Sequence, residues 1–143
     1  MTSLAKVMHQ DHQHCDQLFA TAEEALDQGQ GGEQTQRFLK AMARHFLAEE
    51  ELLFPAFEEF TGMKGMGPTQ VMREEHQQMR GLLSQMQTAL DQNNFKAAKR
   101  PLETLLILMQ QHNLKEENIL YPMMDMHLGG PELMGRLAQV LEG

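Results

Sequence analysis

A chain of 143 residues suits one domain with a sizeable core, and 41% hydrophobic with 22% charged residues is ordinary for a globular protein rather than a disordered one. A formal net charge of −8 with no Lys/Arg-rich run disfavours nucleic acid, because nonspecific affinity there rests on neutralising phosphates. The lone Cys15 excludes an internal disulfide and a cysteine-based zinc site; with no apolar run of membrane-spanning length and no signal-peptide pattern, a cytoplasmic protein binding neither nucleic acid nor membrane is expected.

Breaker clusters at 27–32, 61–68 and 91–94 separate four helical patterns, at about 3–28, 33–60, 69–92 and 95–127. After Gly129-Gly130-Pro131 a short amphipathic fifth helix runs to about residue 142, with Pro131 in its first turn. No segment alternates like a strand, so the class is all-α. Pro55, Pro101 and Pro122 fall inside helices two and four and predict local kinks rather than boundaries, because apolar spacing continues past each.

The inward seams follow at 3-and-4 spacing. Helix one presents Ala5, Met8, His12, Cys15, Phe19, Ala22 and Leu26; helix two Phe38, Met42, His45, Glu49, Leu52, Ala56 and Phe60. Helix three presents Thr69, Met72, His76, Met79, Leu83, Met86 and Leu90; helix four Leu105, Met109, His112, Glu116, Ile119, Met123 and Met126. Thr69 aside, the polar intrusions are His12, His45, Glu49, His76, His112 and Glu116. If successive helices run antiparallel, the six sit at matching heights: His76 and His112 lie roughly 24 and 26 Å from their shared loop.

A repeat orders them. His45-Phe-Leu-Ala-Glu49-Glu50-Glu51-Leu52-Leu53-Phe54-Pro55 and His112-Asn-Leu-Lys-Glu116-Glu117-Asn118-Ile119-Leu120-Tyr121-Pro122 both spell H-x-x-x-E-E-x-x-L-[FY]-P, and Asp11-His12 echoes Glu75-His76. The chain reads as a duplicated helical hairpin. Histidine and glutamate four apart share a helix face and reach the same point. Burying a lone carboxylate costs several kcal/mol, and two nearby carboxylates repel as well. A proton-sharing His–Glu network or bound cations would satisfy them, and the ordered sixfold set favours cations. Mixed nitrogen and oxygen donors suit iron, manganese or zinc, and six donors exceed what one four-coordinate structural zinc needs, so two ions are expected.

These motifs resemble the hemerythrin-like (HHE cation-binding) domain family over about residues 4–127. The resemblance implies an up-down antiparallel four-helix bundle, here residues 1–128, with 129–143 as a short C-terminal helix or tail. It further implies two non-haem iron ions with an oxo or hydroxo bridge, manganese or zinc being able to substitute. His12, His45, His76 and His112 would be terminal ligands, and Glu49 and Glu116 bridging carboxylates. The chain departs from the oxygen carriers in having Met72 where they carry a fifth histidine, its counterpart in helix one being Met8. Their last carboxylate, five residues after its histidine, would be Glu117, but on an ideal helix Glu117 points about 140° from His112 and Glu116 only about 40°. Glu116 is the better match.

Implied partners are a small diatomic or peroxide ligand (dioxygen, nitric oxide or peroxide) bound for sensing, storage or scavenging, by a monomer or weak homodimer. Rival expectations are an enzyme turning over peroxide or nitric oxide, an iron-responsive or iron-storage module, and a helical interaction module with a proton-shared core. Of the other residues, His9, His14 and His127 are expected at the surface, and Glu50 and Glu117 outside the ligand set as outward-facing groups or imidazole acceptors. Cys15 is expected as a small buried hydrophobe. Met8, Met72, Met79 and Met109 would wall the chamber.

Overall fold

The computed structural model describes residues 3–143. Five helical rods account for the fold, and no strand occurs among the described residues. They are α1 (Leu4–Asp27), α2 (32–61), α3 (Gly67–Asp91), α4 (95–127) and α5 (Pro131–Glu142). Ser3 and Asn94 cap α1 and α4 by accepting hydrogen bonds from the Lys6 and Ala97 N–H groups, which satisfies donors that a helix start leaves free. The α1–α2 turn needs glycine at residue 31: its φ is 110°, and an added Cβ would meet the Ala25 Cβ at 2.9 Å. The first four rods form an up-down antiparallel bundle in which α1 packs on α2 and α4, and α3 on α4. Asp125 near the end of α4 accepts from the Leu4 and Ala5 N–H groups at 2.9 and 3.1 Å, tying the last bundle helix to the first.

Rods α2 and α4 each contain one wide π turn, Glu49–Leu53 and Glu116–Leu120. The Phe54 N–H donates to the Glu49 carbonyl and the Tyr121 N–H to the Glu116 carbonyl, each spanning five residues instead of four. Proline explains the location. Pro55 and Pro122 lack an N–H and would press against the carbonyl four residues earlier, and a wider turn just before each relieves that clash. None of the three interior prolines ends a helix.

The extra residue per turn changes which side chains face inward. Ideal spacing puts Ala56, Phe60, Ile119 and Met126 on the seam, yet Phe60, Ile119 and Met126 are exposed and Ala56 is only half-buried. Leu53, Phe54, Phe57, Leu120, Tyr121 and Met124 take the interior instead. The seams of α1 and α3 carry no such turn and keep their predicted face, with Leu4 more deeply buried than Ala5.

Two apolar clusters fill the bundle. One gathers Phe19, Phe38, Met79, Met86, Leu102 and Met109 toward the α1–α2 and α3–α4 turns; the other gathers Leu4, Met8, Phe54, Phe57, Met72 and Met124 at the opposite end. Helix α5 lies against α2 and adds Leu137, wholly buried, to the second cluster. Arg44 of α2 donates to the Gly143 carbonyl at 2.7 Å. Truncating Leu137 to Ala should therefore cost about 2–4 kcal/mol, read as a lowered urea midpoint at constant slope; an unchanged midpoint would mean that α5 does not dock.

Candidate metal centre

Between the two apolar clusters lies a layer of six polar side chains. His12 comes from α1, His45 and Glu49 from α2, His76 from α3, and His112 and Glu116 from α4; all are buried. The sequence singled out these six, and the structure brings them together. Glu49 Oε1 lies 3.0 Å from His76 Nε2, 3.4 Å from His45 Nε2 and 4.0 Å from His112 Nε2. Glu116 Oε1 lies 3.1 Å from His12 Nε2, 3.3 Å from His112 Nε2 and 3.9 Å from His45 Nε2. Each carboxylate thus faces imidazoles from both halves of the repeat.

A second ring of carboxylates aims the imidazoles. His12 Nδ1 meets Glu117 at 2.6 Å, His45 Nδ1 meets Asp11 at 2.7 Å, His76 Nδ1 meets Glu50 at 2.6 Å, and His112 Nδ1 meets Glu75 at 2.9 Å. Each acid is the chain neighbour of a central residue on a different helix, and each bond crosses between helices. The acceptors put a proton on Nδ1 and turn the Nε2 lone pair of a neutral imidazole inward, the orientation a metal ligand requires. Glu50 is held in turn by Arg80 at 2.8 and 2.9 Å, and Glu75 by Lys115 at 2.5 Å. Glu117 also receives His9 Nδ1 at 3.0 Å.

Tyr121 is the residue that ideal-helix reasoning overlooks. It stands five positions after Glu116, about 140° away on a regular helix. The π turn brings it back onto the same face, and its phenol oxygen lies 2.9 Å from Glu116 Oε1 and 2.8 Å from Glu49 Oε2. The same oxygen is 3.2 Å from His12 Nε2 and 3.4 Å from His45 Nε2. The signal available in the sequence was the [FY] of the repeat, where one copy carries a hydroxyl. Elsewhere, His14 and His127 are exposed, His9 is half-exposed, and Cys15 is buried in the apolar cluster below the layer. Burial holds the Cys15 thiol up at about 12, so it is a neutral core group.

The electrostatics match the donor chemistry. Burial works against an imidazolium at His45, but the Glu49 charge and hydrogen bonds to Asp11 and Glu116 outweigh it and hold its pKa well above the usual histidine value. At His112 burial again opposes the charge, and Glu116 and Glu49 still raise its pKa to about 10. Burial disfavours the carboxylate at Glu49, yet His45 keeps its pKa well below the usual range. Glu116, destabilised by burial and by Glu49, is likewise lowered by His112. Burial and the charges of Glu116 and Glu49 push the Tyr121 phenol well above its ordinary pKa. The central carboxylates are anions in an apolar interior, and positive charge offsets them.

Two donor sets fit cations. Glu49, His76, His112 and Glu116 form one and His12, His45 and Glu116 the other, the donor atoms of each lying within 4.8 Å of one another. His112 Nε2 and Glu116 Oε2 are buried without a hydrogen-bond partner, a cost that a bound ion would remove. The buried His/Glu cluster is thus able to hold metal ions. No helix among the described residues is long and apolar enough to cross a membrane.

Comparison with known proteins agrees with this centre. The hemerythrin HHE cation binding domain matches residues 3–124. A hemerythrin-like protein of Schizosaccharomyces pombe is 28% identical over 133 residues, 92% of this chain and 64% of its own length. Iron–sulfur cluster repair proteins YtfE are also similar: that of Enterobacter sp. (strain 638) is 29% identical over 54% of this chain and 39% of its own length. That of Escherichia coli O81 is 28% identical over 57% of this chain and 40% of its own length. The chain thus spans less than two thirds of the length of these relatives. No solved structure matches it.

Two measurements probe the site. Because His45 and His112 hold protons that a cation must displace, zinc affinity should rise with pH through neutrality toward the His112 value of about 10. Uptake at neutral pH in weak buffer should release about two or three protons per chain, and release of none would contradict the assignment. Asp11→Asn, which keeps the shape but weakens the acceptor behind His45, should lower zinc affinity about 10–100-fold by competition titration. An affinity equal to the unaltered protein's would show that Asp11 is a bystander.

Proposed function

The chain belongs to the hemerythrin HHE cation-binding domain family, and on that premise we propose that it holds two non-haem iron ions which bind a small ligand, dioxygen, nitric oxide or peroxide, for sensing, storage or scavenging. His76, His112, Glu49 and Glu116 would hold one ion, and His12, His45 and Glu116 the other, with Glu116 common to both. The observation that carries the reading is the ring of four imidazoles, each backed by its own carboxylate, converging on two buried glutamates. Bound iron would supply a Lewis-acidic, redox-active centre for a small anionic or diatomic ligand. The protein's part is to orient the donors, keep Nδ1 protonated and exclude bulk water. Buried Met8, Met72, Met79 and Met109 are divided between the two apolar clusters that flank the chamber, so only a small ligand is accommodated without displacing core side chains.

Met72 supports ligand binding with redox capacity over simple oxygen carriage. A thioether in place of a fifth imidazole leaves the centre with fewer strong donors and more room for an exogenous group. Turnover of peroxide or nitric oxide is the second reading that this substitution favours. The similarity to iron–sulfur cluster repair proteins supports a third, iron handling, in which the four outer carboxylates, each partly exposed, relay iron between chamber and surface.

Three assays separate them. Azide or nitric oxide added to the aerobically iron-loaded protein should change its visible absorption; an iron-loaded protein indifferent to both contradicts ligand binding. Steady-state consumption of peroxide or nitric oxide would move the protein to the enzyme reading, and loss of iron to a chelator within minutes of reduction would move it to iron handling. Iron at 100 times its dissociation constant adds about 2.7 kcal/mol, so the loaded protein should melt roughly 5–10 °C above the chelated one.

A further inference from the structure

We propose that Tyr121 is a metal ligand, its phenol oxygen completing a four-donor set with His12, His45 and Glu116. The inference rests on the two-ion reading and adds to it a donor outside the His/Glu set.

The two donor sets are unequal in size. The set containing His76 and His112 has four members, and the set containing His12 and His45 has three. At the position equivalent to Tyr121 the other copy of the repeat carries Phe54, whose ring packs 5.5 Å from His76 of the four-member set and offers no donor atom. The hydroxyl therefore stands beside the set that is one donor short. Its placement follows from the π turn at Glu116, which brings residue 121 over the chamber.

Four of the distances between these donors are those of a coordination polyhedron. Donors bonded to one small cation at about 2.0–2.2 Å stand about 2.8–3.6 Å apart in octahedral or tetrahedral geometry. The phenol oxygen is 2.9 Å from Glu116 Oε1, 3.2 Å from His12 Nε2 and 3.4 Å from His45 Nε2. His12 Nε2 and Glu116 Oε1 are 3.1 Å apart, and the edge between His45 and Glu116 is wider, at 3.9 Å. One ion among these atoms meets the phenol oxygen as readily as the imidazoles. On binding, the phenol O–H bond breaks, the proton leaves to solvent, and the oxygen lone pair forms the bond to the cation; no electron is transferred.

The chain has one tyrosine and no tryptophan, so tyrosinate absorption in the ultraviolet difference spectrum belongs to Tyr121 alone. The protein is titrated with zinc at neutral pH, bound zinc being counted by elemental analysis. A tyrosinate signal should grow with binding to a plateau of one per chain, and Tyr121→Phe should bind zinc without it and at least about 10-fold more weakly in the His12/His45 half. The iron(III)-loaded protein should show a phenolate-to-iron charge-transfer band that Tyr121→Phe lacks. Bound zinc at any stoichiometry without tyrosinate overturns the proposal, leaving Tyr121 as a hydrogen-bond donor to Glu49. Failure to bind zinc or iron at all overturns the metal-centre reading and this ligand with it. Should Tyr121→Phe not fold, the difference spectrum of the unaltered protein decides by itself.

Discussion

Glu49 and Glu116 have no solvent exposure and sit between two apolar clusters, each as an anion. Removing a carboxylate from water costs several kcal/mol, and placing two together adds their repulsion. The rest of the layer answers that cost. Four imidazoles face the pair, and four outer acids fix the imidazoles in the orientation that makes them useful. Because every outer hydrogen bond joins two helices, the same contacts that orient the site also set the relative height of the rods. A slip of one turn in any helix, about 5.4 Å, would break at least two of these bonds. Bundle register and site geometry are one constraint.

The repeat is symmetric in its inward histidines and glutamates and asymmetric around them. On the His76 side, Phe46 stacks on the imidazole with ring centroids 4.1 Å apart, and Arg80 covers Phe46 while clamping Glu50. The equivalent positions on the His12 side are Asn113 and Asp16. Burial and the neighbouring Glu117 charge raise the pKa of Asp16, partly offset by His12. There the α1–α4 surface opens into a cavity of about 570 Å³ lined by Asp16, Phe19, Asn113 and Glu117 among others. A second, of about 350 Å³, is bounded by His9, Glu117 and Tyr121. One half of the duplication is thus sealed by an aromatic and a guanidinium, while the other is polar and cut by clefts. The two similar groups of His and Glu side chains therefore lie in different surroundings.

Most of this was legible in the chain because it depends on short-range periodicity. Histidine and glutamate four apart, twice, with a further histidine on each partner helix, define six inward groups without reference to coordinates. The five rods follow equally from glycine and proline clusters. Legibility fails at the π turns, which arise from backbone relief around Pro55 and Pro122 rather than from any pattern of side chains. Beyond them an ideal helix points Phe60, Ile119 and Met126 inward, and the wider turn points them out. Tyr121 is hidden by the same arithmetic. Asp11 and Glu75 stand in the motif as neighbours of His12 and His76, but their real partners, His45 and His112, lie on other helices, and that pairing depends on register between rods. An acid beside each of four central residues was the available sign.

The most direct measurement is anomalous scattering at the iron edge from crystals of the iron-loaded protein. Two peaks should appear inside the bundle, one among Glu49, His76, His112 and Glu116 and the other against His12, His45 and Glu116. A single peak, peaks at the surface only, or an iron-replete crystal with the six side chains bonded solely to one another would contradict the claim that cations hold this layer together.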